Sequence, residues 1–245
     1  MLPTAIAAAR AAGELLRERF GRTLRVDEEL HHDVKLEVDK LAEEVIVRTV
    51  TRAFPDHAVL GEERGAAGTS SHRWVIDPLD GTINYFHGIP HFAVSVALEV
   101  DGEPRVGVIY DPMRDELFAC ERGRGATLNG RPVRVNAVSD PRQAIFACGF
   151  TKEEEAIRAA LVAFSDLVLR VRKIRSMGSA ALDLAYVAAG RFAAYYEPSI
   201  YHWDFAAGRA LVLEAGGRVD AAPASAKTWR VYASNGRIHE TLRPA

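Results

Sequence analysis

The sequence predicts a layered fold that mixes helices with sheets. Two observations carry this. Apolar residues recur at helical spacing twice within the first 54 residues, then at strand spacing over residues 92–135. Beyond residue 145 helical and strand patterns alternate, and this order of elements argues for stacked α and β layers. The chain has 245 residues, 48% of them hydrophobic, which is ample for a core. No repeat or low-complexity linker divides it. A single domain over residues 1–245 is therefore expected, with an N-terminal α+β half over about 1–145 and a C-terminal α/β half over about 146–245.

The elements follow in order. Ile6, Ala9, Gly13, Leu16 and Phe20 share one face of a helix over Thr4–Phe20, which Gly21 stops. Leu41, Val45, Val47 and Val50 mark a second helix over Val38–Phe54, with Pro55 just beyond. Ala58-Val59-Leu60 reads as a short strand ending at Gly61-Glu62-Glu63, and the small polar residues 65–71 read as a mobile loop. Trp74-Val75-Ile76 reads as a buried strand that delivers Asp77, and Pro78 prevents it from simply continuing as a central strand. Phe92–Val100 and Arg105–Tyr110 form a hairpin across Asp101-Gly102. Strands at Glu116–Cys120, Ala126–Leu128 and Val133–Val135 follow, with Asn129-Gly130 as a turn. Then come helices at Glu153–Phe164 and Ser179–Ala189 and a strand at Ala193–Tyr196. A helix at Asp204–Ala215 stops at Gly216-Gly217, and a last strand covers Val231–Ala233.

Charge and motifs exclude several classes. Lys plus Arg is 31 and Asp plus Glu is 33, a net charge of −2, so bulk charge does not drive nucleic-acid binding. Arg170, Arg172, Lys173 and Arg175 alternate with apolar residues and read as the basic edge of a strand. No apolar run approaches the ~20 residues of a membrane span. The N-terminus soon reaches Arg10, Glu14 and Arg17, unlike a signal peptide. Cys120 and Cys148 lack CxxC spacing; buried free thiols are preferred to a disulfide and fit a cytoplasmic location. His87 and His91 flank Gly88 and Pro90, which break a helix, so they make a poor zinc pair. There is no P-loop, GxGxxG fingerprint or Gly-x-Ser-x-Gly elbow.

The chemistry lies in four carboxylates at the mouths of elements. Glu62 follows a strand and a glycine, Asp77 and Asp80 flank Pro78-Leu79, and Asp204 follows Tyr201-His202-Trp203. Asp77 ends an apolar run, where a lone charge is costly. Gly81 and Thr82 supply free backbone N–H groups beside it. Carboxylates without His or Cys suit a hard cation such as Mg²⁺. Ordinary roles compete: an Asp-Gly surface turn for Asp80-Gly81, and a helix N-cap for Asp204 worth ~1 kcal/mol. The four together favour the metal reading.

Here the sequence resembles a known family. Gly61-Glu62-Glu63, Asp77-Pro78-Leu79-Asp80-Gly81-Thr82-Ile83-Asn84, Trp203-Asp204-Phe205-Ala206-Ala207-Gly208 and Glu214-Ala215-Gly216-Gly217 look like the inositol monophosphatases, from about Asp33 to Gly217 in order and spacing. The resemblance implies an αβαβα sandwich shared with fructose-1,6-bisphosphatase, Mg²⁺ dependence, lithium sensitivity and a homodimer. It implies two to three Mg²⁺ ions: one on Glu62, Asp77 and the Leu79 carbonyl, one on Asp77, Asp80 and Asp204, and a weaker third leaning on Glu62. It implies that Gly81 and Thr82 take the phosphate and that Glu62 and the Thr82 hydroxyl orient a water. Glu197 and Ala180 match residues beside the substrate ring, although Glu197 reads equally as a rim salt-bridge partner. The expected reaction is hydrolysis of a small polyol phosphate, inositol monophosphate first. Rivals are fructose-1,6-bisphosphate, alone or in dual use with inositol phosphate, histidinol phosphate, 3′-phosphoadenosine 5′-phosphate, or an RNA- or transcription-associated role without catalysis.

One departure lies upstream. The family's Asp-x-Val-Thr-x-x-Asp is here Asp33-Val34-Lys35-Leu36-Glu37-Val38-Asp39. Asp39 stays in register as a catalytic candidate, but Leu36 replaces the usual Thr. That change puts the setting of Asp39 and the third metal in question and leaves the four core carboxylates intact.

Overall fold

In the computed structural model, which describes residues 1–30, 33–150 and 154–244, the two N-terminal apolar stripes become helices α1 (Leu2–Arg19) and α2 (Glu37–Ala53). Pro3 stands in the first turn of α1, where a missing N–H costs nothing. Ala5, Ala8, Ala9, Ala12 and Gly13 form its buried face. These small residues bring α1 close to what lies beneath: a Cβ at Gly13 would come 2.5 Å from the Tyr110 ring. A hairpin of β1 (Val26–Leu30) and β2 (Asp33–Leu36) joins the two helices.

Eight strands form the first sheet: β3 (Ala58–Gly61), β4 (Gly65–Ala67), β5 (His72–Asp80), β6 (Ala93–Val100), β7 (Glu103–Asp111), β8 (Glu116–Glu121), β9 (Ala126–Leu128) and β10 (Arg131–Val133). Their order is β10-β9-β8-β7-β6-β5-β3-β4, and only β3 and β5 run parallel. The second sheet has β11 (Ile145–Cys148), β12 (Lys173–Arg175), β13 (Ala194–Tyr201), β14 (Arg218–Pro223) and β15 (Thr228–Ser234), in the order β12-β11-β13-β15-β14. Asp101-Gly102 and Asn129-Gly130 make the expected tight turns, all four residues at positive φ.

Helices α5 (Ala180–Ala188) and α6 (His202–Glu214) touch both sheets, whereas α4 (Glu154–Arg170) packs on the outer face of the second. The result is five layers: α1 and α2, sheet, α5 and α6, sheet, α4. Three apolar clusters cement them. One joins α1 and α2 to the first sheet around Trp74, Tyr85 and Phe92. The central one joins Phe118, Tyr195 and Phe205 across both sheets. The third holds α4 around Phe146. Each fully buried aromatic of this kind contributes about 2–3 kcal/mol.

Three expectations are corrected. Residues 65–67 are strand β4, not loop, and pair with β3 at Val59↔Ala67; the outer edge of β3 needs a backbone partner, and small side chains can provide one. The basic run at 170–175 is not one strand: α4 extends to Arg170, and only Lys173–Arg175 pair as β12. Glu153, the expected start of that helix, lies outside the described residues. Asp204 is not an N-cap: α6 begins at His202 with Tyr201 as cap, and Asp204 stands inside the first turn. Both cysteines are free and buried, as preferred.

Candidate active site

The parallel pairing of β3 with β5 builds the first corner. Gly61 lies opposite Ile76, and the Glu62 N–H donates to the Ile76 carbonyl at 3.2 Å, so Glu62 emerges beside Asp77. Pro78 has no N–H for the ladder, and β5 bulges between Asp77 and Asp80. The strand thus continues past the proline, and the bulge turns both carboxylates to one side. Asp77 Oδ1 accepts the Leu79 N–H at 3.0 Å, and the Thr82 hydroxyl donates to the Leu79 carbonyl at 2.9 Å. Gly81, at φ 95°, then starts the short helix α3 (Thr82–Phe86). A Cβ there would lie 3.1 Å from the carbonyls of His91 and Gly178.

The second half supplies the other wall. Asp80 accepts the Ser179 hydroxyl and the N–H groups of Ala180 and Ala181 at 3.2 and 2.9 Å, so the amino end of α5 is tied to the end of β5. Asn84 Nδ2 donates to the His91 carbonyl at 2.8 Å within its own half and to the Met177 carbonyl at 2.9 Å across the same seam. Asp204 Oδ2 accepts the Tyr201 N–H at 2.9 Å, which aligns its carboxylate with the first turn of α6.

Glu62, Asp77, Asp80 and Asp204 line one cavity of about 550 Å³. Asp77 is 1% exposed and Asp80 9%. Burial pushes the Asp77 and Asp204 carboxyls well up from their usual range, and repulsion from Glu62 and Asp80 adds to it. Burial pushes Asp80 up to about 6, against the pull of its Ser179, Ala181 and Ala180 donors. Among the described residues no three His, Cys, Asp or Glu side chains close into a ready coordination group; the four carboxylates ring the cavity instead. Their crowded negative charge and all-oxygen donor set fit a hard divalent cation.

The cavity also takes in Leu79, Gly81, Thr82, Ala180 and Glu197, so nine of the ten residues singled out from the sequence line it. Asp39 does not. It is 4% exposed, and its Oδ2 accepts the Leu36 N–H at 2.9 Å, fixing the start of α2. Leu36 itself is fully buried in the cluster beneath α1, so the side chain that replaces the family's Thr serves the core. Glu197 receives the Tyr195 hydroxyl and lies against Gly149, where a Cβ would collide with its carboxylate.

Sequence reasoning missed Asp183 and Phe150. Asp183 lines the cavity at 1% exposure, its carboxyl pushed up by burial and by repulsion from Asp80 and Glu197. It stands one turn into α5, as any residue at i+3 from Ala180 would, and only that helical spacing could have pointed to it. Phe150 stands at the cavity mouth with no motif around it.

Fold and site together define a five-layered α/β protein with a carboxylate-ringed cavity between its two halves. The chain belongs to the inositol monophosphatase family, whose profile matches residues 1–245. Nus factor SuhB of Xylella fastidiosa is 48% identical over 217 residues, which are 87% of this chain and 79% of that protein. The extragenic suppressor protein SuhB of Bartonella henselae superposes with a TM-score of 0.91 at 38% identity, covering 98% of this chain and 95% of its own. The inositol monophosphatase of Anabaena (Nostoc) sp. gives 0.87 at 40% identity, with 98% and 92% covered. No helix is long and apolar enough to cross a membrane among the described residues.

Proposed function

We propose that the protein is a Mg²⁺-dependent phosphomonoesterase acting on a small polyol or sugar phosphate, inositol monophosphate first. The observation that carries this reading is the convergence of Glu62, Asp77, Asp80 and Asp204 on one cavity beside the Gly81–Thr82 turn. Glu62, Asp77 and the Leu79 carbonyl would hold one Mg²⁺, and Asp77, Asp80 and Asp204 a second, with a weaker third against Glu62. Bound there, the ions neutralise the phosphate dianion and acidify water. Gly81 and Thr82 N–H groups hold phosphate oxygens. Glu62 and the Thr82 hydroxyl orient a water in line with the ester oxygen. Attack forms one P–O bond as the ester P–O bond breaks; the attacking water gives up a proton to solvent and the leaving alkoxide takes one from solvent. Positioning suffices, so no phosphoenzyme forms. Glu197 and Ala180 face the polyol. A cytoplasmic, single-domain homodimer with lithium-sensitive turnover completes the proposal.

The test is Mg²⁺-dependent phosphate release from inositol-1-phosphate, fructose-1,6-bisphosphate, histidinol phosphate and 3′-phosphoadenosine 5′-phosphate, each repeated with Asp77→Asn. Release from none of them overturns the substrate assignment, and release that survives Asp77→Asn overturns the site.

A second reading follows from the name Nus factor SuhB of the 48%-identical relative. The chain would then act in transcription through its surface, with or without turnover. Rescue of a deletion strain by Asp77→Asn would favour that reading; failure to rescue would tie the phenotype to catalysis.

A further inference from the structure

Glu43 is a carboxylate that no step above uses. It lies in the middle of α2, one turn after Asp39, and its side chain is fully buried. A charge in that place needs a reason, because burial alone pushes its carboxyl up. Its surroundings supply one. Glu43 Oε2 accepts the Glu63 N–H at 2.8 Å, and the Arg64 N–H also draws on its charge. Arg64 Nε stands 3.8 Å from Oε1. Gly61 lies flat against the same carboxylate: a Cβ there would come 2.7 Å from Cδ and 2.5 Å from Oε2. Glu43 therefore touches the residues on both sides of Glu62, namely Gly61 before it and Glu63 and Arg64 after it.

We propose that Glu43 is the positioning residue for Glu62: its buried carboxylate grips the turn after β3 from behind and aims the Glu62 side chain into the cavity. Several features support this. The Glu62 N–H is tethered to the Ile76 carbonyl of the sheet, and beyond it the chain turns back into β4. Without a partner for the Glu63 N–H, that turn could rotate and swing the Glu62 carboxylate away from Asp77. Helix α2 is a rigid source for the grip, since Ala42, Ile46 and Val50 anchor it in the core and it packs on β5. Arg64 also reaches Glu44 on the exposed side of α2, at 3.4 Å, which closes the clasp. The missing Cβ of Gly61 explains the glycine ahead of Glu62 as well: it makes room for Glu43 and needs no unusual φ.

The inference rests on the proposed function only in taking Glu62 as a Mg²⁺ ligand. The experiment is Mg²⁺ titration calorimetry on the whole protein without substrate, for wild type, Asp77→Asn, Glu43→Ala, Glu43→Gln and Gly61→Ala. Residues that hold a ligand in place typically matter by 10- to 100-fold in metal affinity. Glu43→Ala should thus weaken Mg²⁺ binding by about 10-fold or more, and Glu43→Gln, which keeps an acceptor oxygen, by less than about threefold. Gly61→Ala, which displaces the carboxylate without removing it, should follow Glu43→Ala; it carries the test if Glu43→Ala does not fold. Wild-type affinity in both Glu43→Ala and Gly61→Ala overturns the proposal, as does Glu43→Gln binding as weakly as Glu43→Ala. Mg²⁺ binding that is the same in wild type and Asp77→Asn overturns the metal site itself, which is a separate failure.

Discussion

At the scale of single residues, the site is a balance between burial and repulsion. Asp77 is held in an almost dry strand end next to Glu62, Asp80 and Asp204, and its charge needs a cation for compensation. Asp77→Asn should reduce kcat/KM by at least about 100-fold, because several kcal/mol of charge stabilisation are lost. The same change should have the opposite effect on stability when the protein is in chelator. Asp77, Asp80 and Asp204 all have folded carboxyls raised above their usual 3.8, Asp80 to about 6. A group raised in this way binds its proton more tightly when folded. Its contribution is full below about 4 and is lost as pH rises through the folded value. At pH 7 without metal, Asp77→Asn should therefore melt higher than wild type by about 3 °C, the shift that about 1 kcal/mol produces in a chain of this size. The gap should narrow towards pH 4.5. A mutant that melts lower at pH 7 in chelator would refute the account. These carboxylates were legible in the sequence because strand ends and glycines mark them. Asp183 and Glu43 were not, since a buried acid within a helix looks like any polar residue of an amphipathic pattern until its neighbours are known.

At the scale of elements, the β5 bulge and the turn after it bring the parts together. Pro78 was legible as an interruption, yet β5 runs on to Asp80, because a bulge lets a strand pass a proline without losing its sheet. Gly81 makes the turn possible. At φ 95°, with carbonyls 3.1 Å from where a Cβ would sit, any side chain there is strained. Gly81→Ala should cost about 1–2 kcal/mol for the left-handed backbone alone and move the N–H groups offered to phosphate. Thermal melting should show a loss of several degrees, and KM for the phosphate ester should rise. Normal melting with normal KM would show that the turn is not the phosphate seat. Helices α1 and α2 were legible to within about two residues because their apolar faces repeat at helical spacing, and α6 because Asp204 and Gly216-Gly217 bracket it. Strands β4 and β14 were not. Short edge strands carry too few side chains for an alternating pattern, and their backbone pairing, which sequence does not display, is what defines them.

At the scale of the whole molecule, the cavity sits at the seam between the two halves. Glu62 follows β3 and Asp77 and Asp80 end β5 of the first sheet, Glu197 lies on β13 of the second and Asp204 in α6 between them, and Asp80 already crosses the seam to Ser179 and Ala181. The central apolar cluster likewise draws on both halves, from Val75 and Phe118 to Tyr195 and Val231. The absence of any linker signal near residue 145 agrees with this, whereas the stacking order of the layers could be anticipated only from the family resemblance. Because both halves line the site, a ligand bound there should stabilise them as one unit. Inorganic phosphate, at about 100 times its dissociation constant from the Mg²⁺-loaded protein, should add about 2.7 kcal/mol and raise Tm by roughly 5–10 °C. The melt should remain a single transition. Asp77→Asn should lose most of the shift, because the carboxylate shared by both proposed ions is gone. Two transitions, of which only one moves with ligand, would mean that the halves unfold separately and that the cavity belongs to one of them. A single transition that moves in wild type and stays still in Asp77→Asn would locate the binding energy at the seam.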